Sequence, residues 1–318
     1  MTLVPAAADV KGTLFAMQLD LFSDNRHTIL MNEAGEALRV LDLDKALAIY
    51  ADLLNDAPGD RTILRSQSTA REWRDNLSVF HGLPLGRGPL HDLWLKLADD
   101  TPPPLADGVL QVVLAGLKKL PGPELIYIPP RFHIGTLLMA QERYAEAESW
   151  LARALDSGIH ERALFLGWQG DAQMLLGETG KAKESWLAAF LEGPRSVDLP
   201  SLKNRLIHAL LTSLEIEGSD EVEEDEMICW LPVWGWLQGE FVLNMDEVAA
   251  DHGAFVASLD NSASSRDMKT PRLWFEYLRY GEYLRTVFRN DRELVRVRRR
   301  MRDMNGFIFD RYMEKIRG

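Results

Sequence analysis

The segment "GTLLMAQERYAEAESWLARAL", starting at Gly135, lines up with "GDAQMLLGETGKAKESWLAAF", starting at Gly170, at an offset of 35 residues. Gly135 falls on Gly170, Ala147 on Ala182, Leu151 on Trp186 and Ala154 on Ala189. A period of this size points to stacked helix pairs, and it narrows the fold before composition enters. One helix pair cannot bury its own apolar face, so neighbours must stack. A third stretch, "EALRVLDLDKALAIYADLLNDAPGD" from Glu36, has the same second helix, with Ala46, Tyr50 and Leu53 followed by Pro58. Within it Leu43, Ala46, Leu47, Tyr50, Leu53 and Leu54 recur at steps of three and four, which gives one helical face. Asp156, Ser157 and Gly158 break the chain after the next such helix, and Gly193-Pro194 breaks it after the last.

These units resemble the tetratricopeptide repeat, in which small residues let two antiparallel helices approach closely and a proline ends the unit. Pro194 closes the second copy. The first helix of each unit lacks the family's usual aromatic, and the stretch before Gly135 does not repeat cleanly, so the resemblance covers about half the chain. It implies an all-α fold: a right-handed solenoid of helix pairs whose concave groove receives a partner protein or peptide, closed by a helical C-terminal region.

Between the repeats, "HGLPLGRGPLHDLW" and "DDTPPPLADG" are punctuated links, "LADGVLQVVLAGLKKL" is a buried helix, and "ELIYIPP" is a connector. No strand pattern of useful length occurs. After the helix "SLKNRLIHALLTSLEIE" comes the acidic tract Glu217 to Glu226, expected as a solvated loop because like charges repel. "MICWLPVWGWLQGEF" carries Trp230, Trp234 and Trp236, expected as a small satellite core or domain junction, with a ligand-stacking site as the sharper alternative. The expected organisation is 1–27, an N-terminal segment; 28–216, the helical repeats; 217–226, the acidic loop; and 227–318, a helical region with a basic stripe.

The chain carries a net charge of -12, unevenly spread. From Arg266 to the end there are 15 basic and 8 acidic residues, which leaves -19 on the rest. An acidic body with a basic tail argues against nucleic acid as the general partner. "RVRRRMR" places Arg296, Arg298, Arg299, Arg300 and Arg302 in one possible basic patch. Its arginines are expected to neutralise the acidic tract and body, with phosphate contact as the functional alternative. Leu284, Phe288, Val295, Met301, Met304, Ile308 and Tyr312 are expected to form the apolar face of that region.

No constellation of catalytic residues is legible. There is no phosphate-binding G-x-x-x-x-G-K-[ST] loop, no G-x-S-x-G elbow and no H-E-x-x-H, and no histidines stand at metal-ligand spacing on one helix face. His81 and His91 flank a Gly/Pro-rich link, where exposed or capping roles are expected. The single cysteine, Cys229, reads as a buried thiol. The reading is non-enzymatic, without cofactor or metal. No apolar run spans a bilayer, and the N-terminal residues lack the basic start and apolar block of a secretion signal, so a cytoplasmic location is expected.

One short stretch is sharper. Gln18-Leu19-Asp20-Leu21-Phe22 matches, residue for residue, the motif by which many bacterial proteins dock on the DNA polymerase sliding clamp. The resemblance implies that Gln18 orients the peptide, that Leu21 and Phe22 anchor it, and that Leu19 and Asp20 support it. Ser23 to Asn25 is expected to cap the helix that follows. The structural alternative is that Leu19, Leu21 and Phe22 pack on the first helix pair. Protein–protein interaction is therefore the expected function, with an arginine-based nucleic-acid accessory as the alternative.

Overall fold

The computed structural model describes residues 10–79, 86–97, 101–218, 220–264 and 270–317; of residues 10–24, 260–264 and 270 it describes the backbone only. The fold is all-α, as expected. No strand occurs among the described residues, and "ELIYIPP" is a connector with a short 3-10 turn and one isolated bridge, Ile128 to Phe132. The chain divides into two compact units, 1–137 and 138–318. The division falls inside the span expected to hold the repeats.

Unit one contains α1 (Val10–Arg39), α2 (Leu43–Asp56), α3 (Arg61–Ser78), α4 (Arg87–Leu95) and α5 (Pro103–Leu117). α6 (Ile134–Ala140) carries the boundary. Asp42 caps α2 by accepting from the Lys45 amide, and Asp60 caps α3 by accepting from Thr62 and Ile63. Ala46, Tyr50 and Leu53 of α2 are buried, as their spacing predicts. Gly108 of α5 lets α1 approach: a Cβ there would lie 2.6 Å from the Arg39 carbonyl oxygen. His91 departs from its expected exposed role, because its ring is half-buried against Trp94 and Phe132, with centroids 5.6 and 5.0 Å away. His81 lies outside the described residues.

Unit two continues with α7 (Tyr144–Asp156), α8 (Arg162–Leu175), α9 (Thr179–Glu192), α10 (Leu206–Gly218), α11 (Met227–Leu237), α12 (Asp246–Ala250), α13 (His252–Ser264), α14 (Thr270–Tyr283), α15 (Asp291–Met304) and α16 (Gly306–Arg317). The matched repeat positions Ala147, Leu151, Ala154, Ala182, Trp186 and Ala189 are each 0% exposed. Gly170 makes room for the indole of Trp186: a Cβ on it would stand 2.6 Å from Trp186 Cδ1. The indole then donates to the Gly167 carbonyl at 3.1 Å, so its burial leaves no polar group unpaired.

One turn recurs. Leu41, Glu142 and Gly177 each stand two residues before a helix (α2, α7 and α9) and each adopts the left-handed backbone, with φ of 57°, 59° and 82°. The next residue's N–H reaches back five positions in every case: Asp42 to Ala37, Arg143 to Leu138 and Glu178 to Gln173, at 2.8, 3.0 and 2.9 Å. This is the Schellman hydrogen bond that ends a helix and reverses the chain. The same bond follows left-handed Gly158 and Gly239 among the described residues (Ile159 to Ala154 at 3.1 Å, Glu240 to Gly235 at 2.8 Å). Of the turns with this bond, those at Leu41, Glu142 and Gly177 are the three that lead straight into a helix two residues on.

The tryptophan segment is not a satellite. Trp230 and Trp234 on α11 are 2% and 1% exposed and belong to the main core of unit two, with Trp186, Trp274, Phe275 and Tyr312. Trp234 donates to Ser213 Oγ at 2.7 Å and Trp274 to the Met301 carbonyl at 3.0 Å. Trp236 is half-buried, with Lys315 Nζ 5.1 Å above its ring. Cys229 is buried, as expected.

Candidate functional site

The pentapeptide comes first. Gln18 to Phe22 lie within the span of α1, so that helix starts before the motif rather than after it, and Ser23 to Asn25 are helix interior rather than a cap. The side chains of Gln18, Leu19, Asp20, Leu21 and Phe22 lie outside the described residues. What is described is the anchor next to them. Arg26 donates to Asp52 at 2.9 Å and to Asp56 at 2.6 Å, and Asp56 is the last residue of α2. Ala34, Ala37 and Leu38 of α1 are buried, whereas Asn25 to Ile29 are exposed. α1 thus continues from Asn25 back to Val10 past the end of α2, a length of about 24 Å at the ordinary helical rise.

The arginine stretch forms α15, and the structure divides the expected patch. Leu294, Val297 and Met301 face the core, so the packed side includes Val297, inside "RVRRRMR" itself. Val295 and Phe288, expected on the apolar face, are 67% and 52% exposed. The reason is register: 294, 297 and 301 follow steps of three and four, and 295 belongs to the opposite side.

Arg298 points inward. Its guanidinium carbon lies 5.8 Å from the centre of the Tyr312 ring, and its Nε is buried without a hydrogen-bond partner. Burial, with Glu282 alongside, pushes the Tyr312 phenol up to about 12, so it remains a donor, and it donates to Glu282 Oε1 at 3.0 Å. Glu282 also accepts from Arg285 at 2.6 Å. Arg298 is half-buried against Tyr312 by this geometry, unlike the exposed arginines beside it. Arg296 is tied to Glu293 on its own helix at 3.1 Å. Arg299, Arg300 and Arg302 are exposed and form no ion pair among the described residues.

The acidic tract is exposed at Glu217, Asp220, Glu221, Glu223, Glu224 and Asp225, as its charge predicts, and it includes a short 3-10 turn. Its partners are not the α15 arginines, contrary to expectation. Arg311 meets Glu217 at 3.2 Å, and Arg195 meets Asp225 at 3.0 Å. Beside the tract is an open depression of about 370 Å³ lined by Glu221, Phe307, Asp310, Arg311 and Glu314. Arg311 itself stands over the Phe307 ring there, 5.6 Å away.

Two buried ionisable groups are structural. Burial lowers the pKa of His133 to about 4. Its Nδ1 accepts the Gly135 amide at 2.9 Å, so its Nε2 donates to the Glu124 carbonyl at 3.0 Å and the ring is neutral. Burial raises the pKa of Asp171, whose carboxylate accepts from the Lys203 and Asn204 amides at 2.9 Å each. Among the described residues, no group of three or more His, Cys, Asp or Glu side chains converges as a metal site, and no helix is long and apolar enough to cross a membrane.

Sequence reasoning missed Arg289, Arg292, Val287 and the outward placement of Phe288. The signal for Arg292 lay in the same steps of three and four that bury Leu294, Val297 and Met301. Nothing in the sequence announced the π-helical turn Leu284–Phe288 that carries Val287 and Phe288. Comparisons with protein-family models, with curated proteins and with solved structures find no match to this chain.

Proposed function

We propose that this chain is a non-enzymatic protein–protein interaction scaffold built on tetratricopeptide-like helix pairs, with Gln18 to Phe22 as a docking peptide for a DNA sliding clamp. The observation that carries the scaffold reading is the recurring left-handed turn at Leu41, Glu142 and Gly177, each followed by a helix whose matched positions are buried. Repeated helix pairs of this kind stack into a solenoid whose concave surface takes a peptide or helix of a partner. What supports the docking reading is the extension of α1 past the α2 end that Arg26 clasps.

The test is calorimetric titration of purified bacterial sliding clamp into the full chain, beside a Leu21→Ala/Phe22→Ala variant shown to be folded. Binding on the order of micromolar, absent from the variant, supports docking. No heat with either chain, together with a lower melting temperature for the variant, identifies the stretch as a packing strap and leaves the groove as the interaction surface.

A further inference from the structure

We propose that the corner between α14 and α15 docks an acidic segment of a partner protein that also carries apolar side chains, such as an amphipathic helix with leucines on one face and glutamates beside it. The proposal rests on the interaction-scaffold reading above and gives one partner a chemistry.

The corner is built to expose what it carries. The helical ladder of α14 ends in the π-turn Leu284–Phe288, and Arg289 follows in the left-handed region with φ of 51°. That conformation disfavours a residue with a Cβ, and π-turns are frequent at functional sites. Val287 and Phe288 emerge 57% and 52% exposed, and Val295, four residues into α15, is 67% exposed. Twelve large apolar residues are exposed among those described, and three of them fall between 287 and 295. Phe288 is held in place, since its ring stacks on His252 at 5.1 Å and on Tyr283 at 6.1 Å. Val287 and Phe288 are exposed neighbours in the chain, with Val295 exposed on the helix that follows, and exposed apolar surface that is held in place suits an interaction site.

Charge selects the partner. Arg289 and Arg292 flank the same corner, and Arg299, Arg300 and Arg302 continue along the exposed side of α15. All five are without an ion pair among the described residues, although the chain ahead of Arg266 carries -19. Such a face attracts carboxylates and steers their approach. Duplex DNA keeps its bases stacked in the helix and presents its phosphates, so it would use the arginines and gain little from Val287, Phe288 and Val295. A protein segment uses both.

The probe is a fluorescein-labelled synthetic peptide with leucine at steps of three and four and glutamate between, titrated into the full chain and followed by anisotropy. Random-sequence duplex DNA of equal charge is titrated in parallel. The expected result is peptide binding on the order of ten micromolar. It weakens by about tenfold or more in Phe288→Ser/Val295→Ser and in Arg292→Gln/Arg299→Gln, and returns in Phe288→Leu/Val295→Leu. Val295→Ser alone, at a site with little packing to lose, should weaken binding at an unchanged melting temperature.

Absence of peptide binding by the unmodified chain overturns the proposal. So does duplex DNA that binds as tightly as the peptide and depends on the arginines alone. Self-association that grows with concentration and vanishes in the arginine variant overturns it too, since a second copy is then the occupant. The Phe288/Val295 variant should bind sliding clamp as the parent does, and the Leu21/Phe22 variant should bind the acidic peptide as the parent does. Failure of either surface is thereby read separately from the other.

Discussion

Helices α9 and α15 have the same length, and each buries one face in the core of unit two. They differ in what they do with charge. On α9, Lys181 meets Glu178 at 3.0 Å and Lys183 meets Glu240 at 2.8 Å, so its cations are matched within the fold. On α15, Arg299, Arg300 and Arg302 stand exposed with no ion pair among the described residues, and Val295 stands out with them. Locally matched charge serves solubility and helix register. Arginines left without an ion pair beside exposed apolar surface repel one another, and a partner's carboxylates would lower that energy.

The comparison holds only if the inner faces are equivalent, and the largest effects test that. Trp186→Ala on α9 removes a fully buried indole together with its bond to the Gly167 carbonyl. It should cost about 3–5 kcal/mol, read as the shift in urea midpoint at constant slope. Met301→Ala on α15, also fully buried, should cost about 2–5 kcal/mol by the same measurement. A loss under about 0.5 kcal/mol at Met301 would mean that α15 is not a core helix and that its exposed arginines say nothing about recognition.

Within α15, the arginines should separate. Arg298→Gln loses the packing of a half-buried side chain against Tyr312, and about 1 kcal/mol of stability is expected to go with it. Its buried Nε already lacks a hydrogen-bond partner, so the loss comes from packing and from the guanidinium's contacts with Tyr312. Equal melting temperatures for Arg298→Gln and Arg299→Gln would remove the distinction between the half-buried arginine and the exposed ones.

These divisions show how much was legible in advance. The helical class, the paired helices and the buried positions at Ala147, Ala182 and Ala189 follow from a repeat that sequence displays directly. The close fit of Trp186 on Gly170 was readable as a pair of matched columns, although not as a contact. Val295 and Val297 are chemically identical, and only their register against Leu294 and Met301 decides which is inside. The π-turn that carries Val287 and Phe288 outward is separate from that register, and no local residue preference encodes it. The pairing of the acidic tract with Arg195 and Arg311 also lay beyond the sequence, because helix packing selects which arginines come near.

The smallest predicted effect is the most diagnostic, because it has opposite signs on the two helices. Replacing Lys181 and Lys183 by glutamine removes two ion pairs from α9, and surface pairs of this kind contribute a few tenths of a kcal/mol each. That variant should melt slightly lower, and salt should narrow the difference by screening the pairs in the parent. Replacing Arg299, Arg300 and Arg302 by glutamine relieves repulsion among arginines spaced three and four apart, including Arg296 to Arg299 and Arg296 to Arg300. It should leave stability unchanged or raise it by up to about 0.5 kcal/mol, again with a difference that shrinks in salt. Paired melts at low and high ionic strength measure both signs in one experiment. If the arginine variant melted lower than the parent at low salt, those side chains would hold stabilising contacts within the fold. The face of α15 would then be structural, like that of α9, rather than a surface kept free for a partner.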